Sequence, residues 1–237
     1  MAAVFIWAHR GASAEAPENT LAAFGLALQR RADGIELDVH LSRDGVPMVI
    51  HDETLERTSN GRGRVADWKA AELQSLDAGA WFSAGFSGER IPTLEQVLQQ
   101  VGGQARLNIE LKSAAAGQAV LELLRRHPES RVLISSFDHR LLARMRTMAP
   151  ELALGFLVDS RWWRLGLRRA LASGGESFHP RQDMVSRPLL LACHRAGLKV
   201  YPWTVDAPAR AAELVRLGCD GLFTNRPGRM SAALGLR

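Results

Sequence analysis

Short apolar runs alternate along the chain with stretches in which apolar residues recur every three to four positions. The runs predict β-strands, and the stretches predict amphipathic helices. The predicted strands are Val4 to His9, Gly34 to Leu41, Arg106 to Lys112, Arg131 to Phe137, Ala153 to Val158, Ser177 to Val185, Lys199 to Val205 and Gly221 to Asn225. Strands that alternate with helices form parallel βα units, and about eight such units predict an α/β protein with a closed (β/α)8 TIM barrel.

One connection, from Asp52 to Pro92, is far longer than the roughly 2–6 residues usual between a strand and a helix. Its "ADWKAAELQSL" predicts a short helix with Asp67 as the N-cap. We therefore predict a small inserted subdomain over residues 52–92, after the second strand, within a single domain that spans residues 1–237. The insertion is either a decoration or a lid over the barrel mouth, since long ordered loops are often functional.

Two predicted strands place acidic side chains on the inner face of the barrel. In "GIELDVHLS" strict alternation turns Glu36 and Asp38 away from the apolar face, and in "RLNIELK" it does the same for Glu110. Buried carboxylates that crowd together are costly unless a cation relieves them, and oxygen ligands suit Mg or Ca. The alternative is a salt-bridge network of these acids with Lys112 and Arg10. A single charged pair would favour the network, but two i,i+2 pairs at strand ends favour the metal.

Further polar residues end the predicted strands, and in a barrel the strand ends form the mouth where active sites lie. His9 ends the first strand, and His51 ends the apolar run "GVPMVI". Two histidines beside a group of carboxylates suggest an acid and a base. Glu18 and Asn19 form the entry to the first helix, with Asn19 as a candidate N-cap; capping and substrate contact both remain open for them.

The composition narrows the class of partner. The net charge of +5 would suit nucleic acid or other anions, but the arginines are scattered along helix faces and no nucleic-acid-binding motif occurs. No apolar segment approaches a membrane span, so we expect no membrane insertion, and the cytoplasm is the default location. The stretch "RWWRLGLRR" could still contact an anionic bilayer weakly through Trp162 and Trp163, or form an ordinary packed helix. The sequence does not indicate an oligomeric state.

Taken together, these motifs resemble the glycerophosphodiester phosphodiesterase family, whose fold is a (β/α)8 barrel with an inserted subdomain. The stretches that carry the resemblance are "HRGASAEAPENTLAAF", "ELDVHLSRDGVPMVIHDETLERTSNGRG", "IPTLEQVL", "LNIELK", "SSFD", "GLKVYPWTVD" and "GCDGLFTNRP", in order along nearly the whole chain. The resemblance implies metal ligation by Glu36, Asp38 and Glu110, acid and base roles for His9 and His51, and phosphate contact by Arg10 and Lys112. One departure is Asn225, where "TDRP" is usual in the family; it removes a charge from the end of the eighth strand.

The resemblance implies a single catalytic barrel domain that uses Mg or Ca to hydrolyse glycerophosphodiesters, such as glycerophosphocholine or glycerophosphoethanolamine, to glycerol 3-phosphate and an alcohol. The attacking group is either water or the glycerol hydroxyl of the substrate. Phe137 and Trp203 would line the glycerol or headgroup side, or simply pack in the core. The alternatives are a lysophospholipase D acting on lipids with one acyl chain, and a barrel that binds phosphodiesters without turning them over.

Overall fold

The computed structural model describes residues 4–236 and shows the predicted barrel. Eight parallel strands lie in the order β8, β7, β6, β5, β4, β2, β1, β9, and β3 pairs antiparallel with β2. The strands are β1 (Phe5–Ala8), β2 (Gly34–Leu41), β3 (Pro47–Val49), β4 (Arg106–Leu111), β5 (Val132–Ser136), β6 (Ala153–Val158), β7 (Ser177–Pro180), β8 (Lys199–Val200) and β9 (Gly221–Thr224). The helices are α1 (Leu21–Gln29), α2 (Ala70–Leu73), α3 (Leu94–Val101), α4 (Ala116–Leu124), α5 (His139–Met148), α6 (Trp163–Ala172), α7 (Arg187–Arg195), α8 (Pro208–Leu217) and α9 (Pro227–Ala233).

Backbone hydrogen bonds join the two ends of this strand order. The N–H of Asp220 donates to the carbonyl of Val200 at 3.1 Å, and the N–H of Phe223 donates to the carbonyl of Pro202 at 2.9 Å. The N–H of Val205 in turn donates to the carbonyl of Phe223 at 2.8 Å. The chain after β8 therefore lies against β9, and these bonds close the parallel strands into a barrel.

Two predicted strands are shorter in the structure than the sequence indicated. The strand predicted over Ser177 to Val185 ends at Pro180, and a 3-10 turn follows at Gln182–Met184. The strand predicted over Lys199 to Val205 is regular only at its first two residues and is followed by Pro202. Proline has no N–H to donate to a ladder, so a regular strand cannot continue through it in the middle of a sheet.

Both predicted helix caps were wrong. The N-cap of α1 is Thr20, whose hydroxyl accepts from the N–H of Ala23, while Asn19 adopts a left-handed backbone with φ of 58°. Asn19 is drawn away from capping because its side chain binds Asp38 instead. Asp67 is the last residue of a 3-10 turn, so α2 begins only after Lys69, whose N–H donates to the carboxylate of Glu72.

The long connection after the second strand carries a hydrophobic cluster of its own. The cluster combines residues of β3 and of the connection: Met48, Ile50, Leu55, Val65, Ala70, Leu73, Ala78 and Ile91. Most of the remaining core lies between the barrel strands and the surrounding helices. That residues 52–92 form a separate subdomain stays a prediction. The antiparallel pairing of β3 with β2 sets Val49 opposite Val39, which brings His51 back toward the ends of the barrel strands.

Aromatic side chains fill part of the barrel interior. Trp7, Tyr201 and Phe223 are each 2% exposed or less, and the rings of Trp7 and Phe223 stack with centroids 5.6 Å apart. The interior is thus a packed core rather than a channel, and a ligand can enter only at the mouth. None of the helices described between residues 4 and 236 combines the length and the apolar character needed to cross a bilayer. Cys193 and Cys219 are buried and unpaired.

Candidate active site

The ends of the parallel strands surround a cavity of about 210 Å³. Asp38 does not line it but contacts Lys112, which does. The other eight residues that the sequence predicts for the site all lie in the wall of this one cavity. Its lining residues are His9, Arg10, Glu36, His51, Asn108, Glu110, Lys112, Phe137, Leu157, Trp203 and Phe223.

Three carboxylates form the cluster that we call the floor of the site; Glu36 and Glu110 line the cavity, and Asp38 does not. Glu36 and Asp38 lie on β2, and the parallel register sets Asp38 directly opposite Glu110 on β4. Each side chain offers one oxygen, and these oxygens lie within 4.8 Å of one another. All three side chains are buried. Crowded carboxylate oxygens of this kind are the ligands that hard divalent cations prefer, so the triad could bind a metal ion.

Two cationic side chains contact the same carboxylates. The Nζ atom of Lys112 lies 2.9 Å from Asp38 and 2.6 Å from Glu110, and the Nε atom of Arg10 lies 3.3 Å from Asp38. The salt-bridge network considered from the sequence is therefore present. It is incomplete, because no lysine or arginine of the described chain pairs with Glu36, which instead accepts from the backbone N–H of Arg10 at 2.9 Å. Two cations for three carboxylates leave the cluster with an excess negative charge.

The pKa values of the three acids diverge as a consequence. Burial, together with the charges of Asp38 and Glu110, raises the pKa of Glu36 well above its ordinary value. Burial and the charge of Asp38 also raise the pKa of Glu110 to about 7. Burial opposes ionisation of Asp38 as well, but Lys112 and Arg10 outweigh it and hold the pKa of that carboxyl well below its usual range. The cluster is thus short of positive charge, above all at Glu36, and a bound cation would supply it.

Hydrogen bonds determine which nitrogen of His9 carries hydrogen. The Nδ2 amide of Asn225 donates to Asp206 Oδ2 at 2.6 Å, so the Oδ1 carbonyl of Asn225 faces the other way. That Oδ1 lies 2.8 Å from the Nδ1 atom of His9 and 2.8 Å from the Ser13 hydroxyl. A carbonyl oxygen only accepts, so Nδ1 of His9 carries the hydrogen and Nε2 holds a lone pair. Nε2 lies 3.9 Å from the carboxylate of Glu36.

The surroundings of His9 also favour its neutral form. Burial and the neighbouring charge of Arg10 lower the pKa of His9 to about 4. A neutral imidazole with a free lone pair is the state in which a histidine can accept a proton near pH 7. The family usually has an aspartate where this chain has Asn225. A carboxylate is still present in this region, because the Asn225 amide donates to Asp206.

His51 is held by a chain of charged groups at the start of the long connection. Its Nδ1 lies 2.6 Å from Asp52, and Arg57 bonds both Asp52 and Glu18. The hydrogen bond from Arg57 lowers the pKa of Asp52 to about 2, so this carboxylate accepts and Nδ1 of His51 donates. Glu18 in turn accepts from Arg10 at 2.8 Å. The beginning of the connection is thereby tied to the site.

Several residues of the site were not predicted in these roles. Asn19 donates to Asp38 at 2.8 Å, so it supports a carboxylate and does not cap a helix. Asn108 lines the cavity, and its buried Oδ1 has no hydrogen-bond partner among the described residues. The alternation of "RLNIELK" already placed Asn108 on the same face as Glu110. An unpaired carbonyl in the wall fits a site that binds a polar ligand. The contacts between Glu18, Arg57 and Asp52 had no signal in the sequence pattern.

Two aromatic residues lie at the outer part of the cavity. Phe137 follows β5 and is 43% exposed, and its ring meets that of Trp203 edge to face with centroids 5.6 Å apart. The Nε1 of Trp203 donates to the carbonyl of His179 at 2.8 Å, which fixes its indole. Both line the cavity; that they contact the substrate stays a prediction. The predicted membrane pair lies before and at the start of α6: Trp162 is 69% exposed, whereas Trp163 packs against the core.

Comparison with known proteins agrees with this geometry. The model of the glycerophosphoryl diester phosphodiesterase family matches residues 9–229. A glycerophosphodiester phosphodiesterase of Caldanaerobacter subterraneus is 41% identical over 230 residues, which cover 93% of each chain. One of Bacillus altitudinis is 37% identical over 236 residues, which cover 94% of this chain and 95% of that one.

Solved structures agree as well. A phosphodiesterase of Oleispira antarctica in complex with the product sn-glycerol-3-phosphate matches with a TM-score of 0.92 at 32% identity, over 98% of this chain and 96% of that one. A glycerophosphodiester phosphodiesterase of Agrobacterium tumefaciens matches with a TM-score of 0.87 at 34% identity, over 97% and 99%. With the fold and nearly the whole chain in agreement, the protein belongs to the glycerophosphoryl diester phosphodiesterase family.

Proposed function

We propose that this phosphodiesterase hydrolyses small glycerophosphodiesters, such as glycerophosphocholine or glycerophosphoethanolamine, to glycerol 3-phosphate and an alcohol. The observation that carries the proposal is the single cavity in which two histidines, two cationic side chains and a carboxylate cluster meet. The Oleispira relative holds sn-glycerol-3-phosphate as its product, and this chain superposes on it over 98% of its length. The polar floor of the cavity suits the phosphoryl group and the glycerol hydroxyls of such a substrate.

We propose that Glu36, Asp38 and Glu110 bind a divalent cation, Mg or Ca. Their oxygens lie close together, and within residues 4–236 no lysine or arginine forms an ion pair with Glu36. A bound cation would neutralise these carboxylates, polarise a phosphoryl oxygen and lower the pKa of the attacking hydroxyl. Lys112 and Arg10 contact the carboxylate of Asp38. We propose that they also bind the phosphoryl oxygens of the substrate and balance the negative charge that develops there in the transition state.

We propose opposite roles for the two histidines. His9 presents a lone pair at Nε2 and accepts the proton of the attacking hydroxyl, whether that hydroxyl belongs to water or to the glycerol of the substrate. His51 donates a proton to the departing alcohol. Burial lowers the pKa of His51, while the charge of Asp38 opposes this, and an anionic phosphodiester in the cavity would favour the protonated ring in the same way.

The substrate class is tested with a panel of glycerophosphocholine, glycerophosphoethanolamine and lysophosphatidylcholine. We expect kcat/KM to be highest for the two water-soluble diesters, with glycerol 3-phosphate as the product measured by a coupled enzyme assay. The exposed ring of Phe137 is the feature that favours the alternative, a lysophospholipase D. A higher kcat/KM on lysophosphatidylcholine would select that alternative, and binding of all three without any product would mean a barrel that does not catalyse.

Replacement of the histidines separates their roles. A choline alkoxide leaves poorly, so loss of its acid in His51→Ala should lower kcat/KM on glycerophosphocholine by about 10²–10⁴. Nitrophenolate leaves without protonation, so the same variant should be largely spared on a nitrophenyl diester of glycerol phosphate. His9→Ala should fail on both substrates. The control is circular dichroism of each variant, and equal losses on both substrates for both variants would contradict the assignment.

Cation binding is tested by thermal unfolding. The raised pKa values mean that the metal-free folded protein holds protons on Glu36 and Glu110 that the unfolded chain releases above the ordinary value of 4.5. The stability that these protons give is present at low pH and is lost as the pH rises through the folded pKa, about 7 for Glu110. A cation competes with the same protons. The increase in Tm on adding Mg or Ca to chelated protein should therefore grow from about pH 5 to about pH 8.

The matched control for cation binding is Glu110→Gln, which keeps the shape of a ligand but removes its charge and its titration. The increase in Tm should be smaller in this variant and should depend less on pH. Two results would contradict the proposal: identical Tm values with and without either cation at every pH, or full turnover by protein that elemental analysis shows to be metal-free.

We also propose that the start of α6 makes weak contact with anionic membranes. Arg161, Arg164 and the exposed Trp162 and Leu165 lie together, and residues 160–175 contain no acidic side chain. Neither arginine forms an ion pair within the described chain; each lies over a tryptophan ring, with Arg164 stacked on Trp163 at 4.5 Å. Exposed indole beside unpaired cations matches the interface of an anionic bilayer.

Sedimentation with vesicles tests this contact. The protein should bind phosphatidylglycerol vesicles more than phosphatidylcholine vesicles, and added salt should weaken the binding because it screens the arginines. Trp162→Ala with Leu165→Ala should reduce the bound fraction. The matched control is Leu191→Ala, which removes a similarly exposed leucine from α7. Equal binding by all three proteins would remove the proposal.

A further inference from the structure

Three hydrogen-bond donors fix the orientation of the Asp206 carboxylate. Its Oδ1 accepts from the hydroxyl of Thr224 at 2.9 Å and from the backbone N–H of Asn225 at 2.8 Å. Its Oδ2 accepts from the side-chain amide of Asn225 at 2.6 Å. All three groups can donate, and the two nitrogens cannot accept, so this position requires an acceptor at both oxygens.

The orientation of Asn225 follows from Asp206, and the hydrogen on His9 follows from Asn225. The amide of Asn225 must direct Nδ2 toward the carboxylate, which leaves Oδ1 for Nδ1 of His9 at 2.8 Å. The Ser13 hydroxyl, 2.8 Å from the same Oδ1, does not set this orientation, because it can donate or accept and its single hydrogen also has the carbonyl of His9 as an acceptor at 2.7 Å. A carboxylate that does not touch the cavity thus selects the ring nitrogen of His9 that carries hydrogen.

We propose that Asp206 and Asn225 are positioning residues that hold His9 with hydrogen on Nδ1 and so keep Nε2 free to accept a proton. The proposal rests on the role of His9 as the base in the proposed function. A histidine base held in the wrong tautomer loses most of its activity even when its position is unchanged. The contact with Asp206 also gives a reason for an asparagine at position 225. Its amide donates to the carboxylate on one side and offers its oxygen to His9 on the other.

Asp206→Asn should reverse the arrangement. The backbone N–H of Asn225 still needs an acceptor, so the new amide keeps its oxygen there and turns its nitrogen toward the side chain of Asn225. Two amide nitrogens would then face each other at a distance of 2.6 Å, which favours rotation of the Asn225 amide. The rotated amide would donate to Nδ1 of His9, and the hydrogen of the imidazole would move to Nε2.

Exchange of the two side chains should restore the arrangement. In Asn225→Asp alone, two carboxylates face each other where the 2.6 Å hydrogen bond now lies, so this variant should also be impaired. In the double variant Asp206→Asn with Asn225→Asp, the amide at position 206 donates to the new carboxylate at position 225. The other oxygen of that carboxylate accepts from Nδ1 of His9, as the carbonyl of Asn225 does in the native chain.

The first readout is the tautomer of His9, measured from the ¹⁵N shifts of the histidine ring with His9→Gln to assign the signal. We expect hydrogen on Nδ1 in the native protein and the double variant, and on Nε2 in Asp206→Asn. The second readout is kinetic: Asp206→Asn should lower kcat by about 10²–10⁴ with little change in KM, and the double variant should recover most of this loss. The control is Asp220→Asn, which changes the carboxylate that accepts from the N–H of Val200 and should alter neither readout.

Two results would overturn the proposal: hydrogen that stays on Nδ1 in folded Asp206→Asn, or a folded double variant with hydrogen on Nε2. A folded double variant with hydrogen on Nε2 would overturn the proposal even if Asp206→Asn by itself fails to fold. Failure of the proposed function looks different. In that case the native protein would not release glycerol 3-phosphate from any diester of the panel, while the tautomer of His9 would still follow the side chains at positions 206 and 225.

Discussion

The site depends on the burial of three carboxylates at one place on two neighbouring strands. The register of β2 and β4 sets Asp38 opposite Glu110, and Glu36 lies two residues before Asp38 on the same face of β2. All three carboxylates are largely shielded from water, so their charges repel strongly. Lys112 and Arg10 offset part of this cost. The rest is unrelieved in the protein alone, and the divalent cation that we propose for this cluster would supply the missing positive charge.

Hydrogen bonds around the carboxylates fix the orientation of the side chains at the site. Asn19 has a left-handed backbone conformation and does not cap α1, because its side-chain amide donates to Asp38. His9 is oriented by an amide with a carboxylate behind it, and His51 is held directly by Asp52. Each histidine donates through Nδ1 and presents Nε2, so the barrel holds two rings in the same tautomer by different means. The opposite roles that we propose for them would then depend on burial and on the charges near each ring.

Much of the fold and the floor of the site was predictable, because both follow from local periodicity. Alternation with a period of two turns Glu36 and Asp38 to one face whatever the rest of the chain does, and alternating strands and helices imply a parallel barrel. The prolines at 180 and 202 shortened two strands for an equally local reason. The helix caps were wrong because a cap competes with other partners, and the partner of Asn19 lies 19 residues away.

The sequence by itself determined which residues face the barrel interior and which end its strands, since the chemistry of the peptide unit sets those periods. Only the tertiary structure decided which polar groups meet. Asp206 and Asn225 bond across two segments 19 residues apart, and Asn225 reaches His9 from 216 residues away. No pattern in the chain indicates such pairs, because a hydrogen bond depends on distance and direction in space. Closure of the barrel brings the last strand against the first, and the resulting contact between Asn225 and His9 determines which ring nitrogen of His9 carries hydrogen.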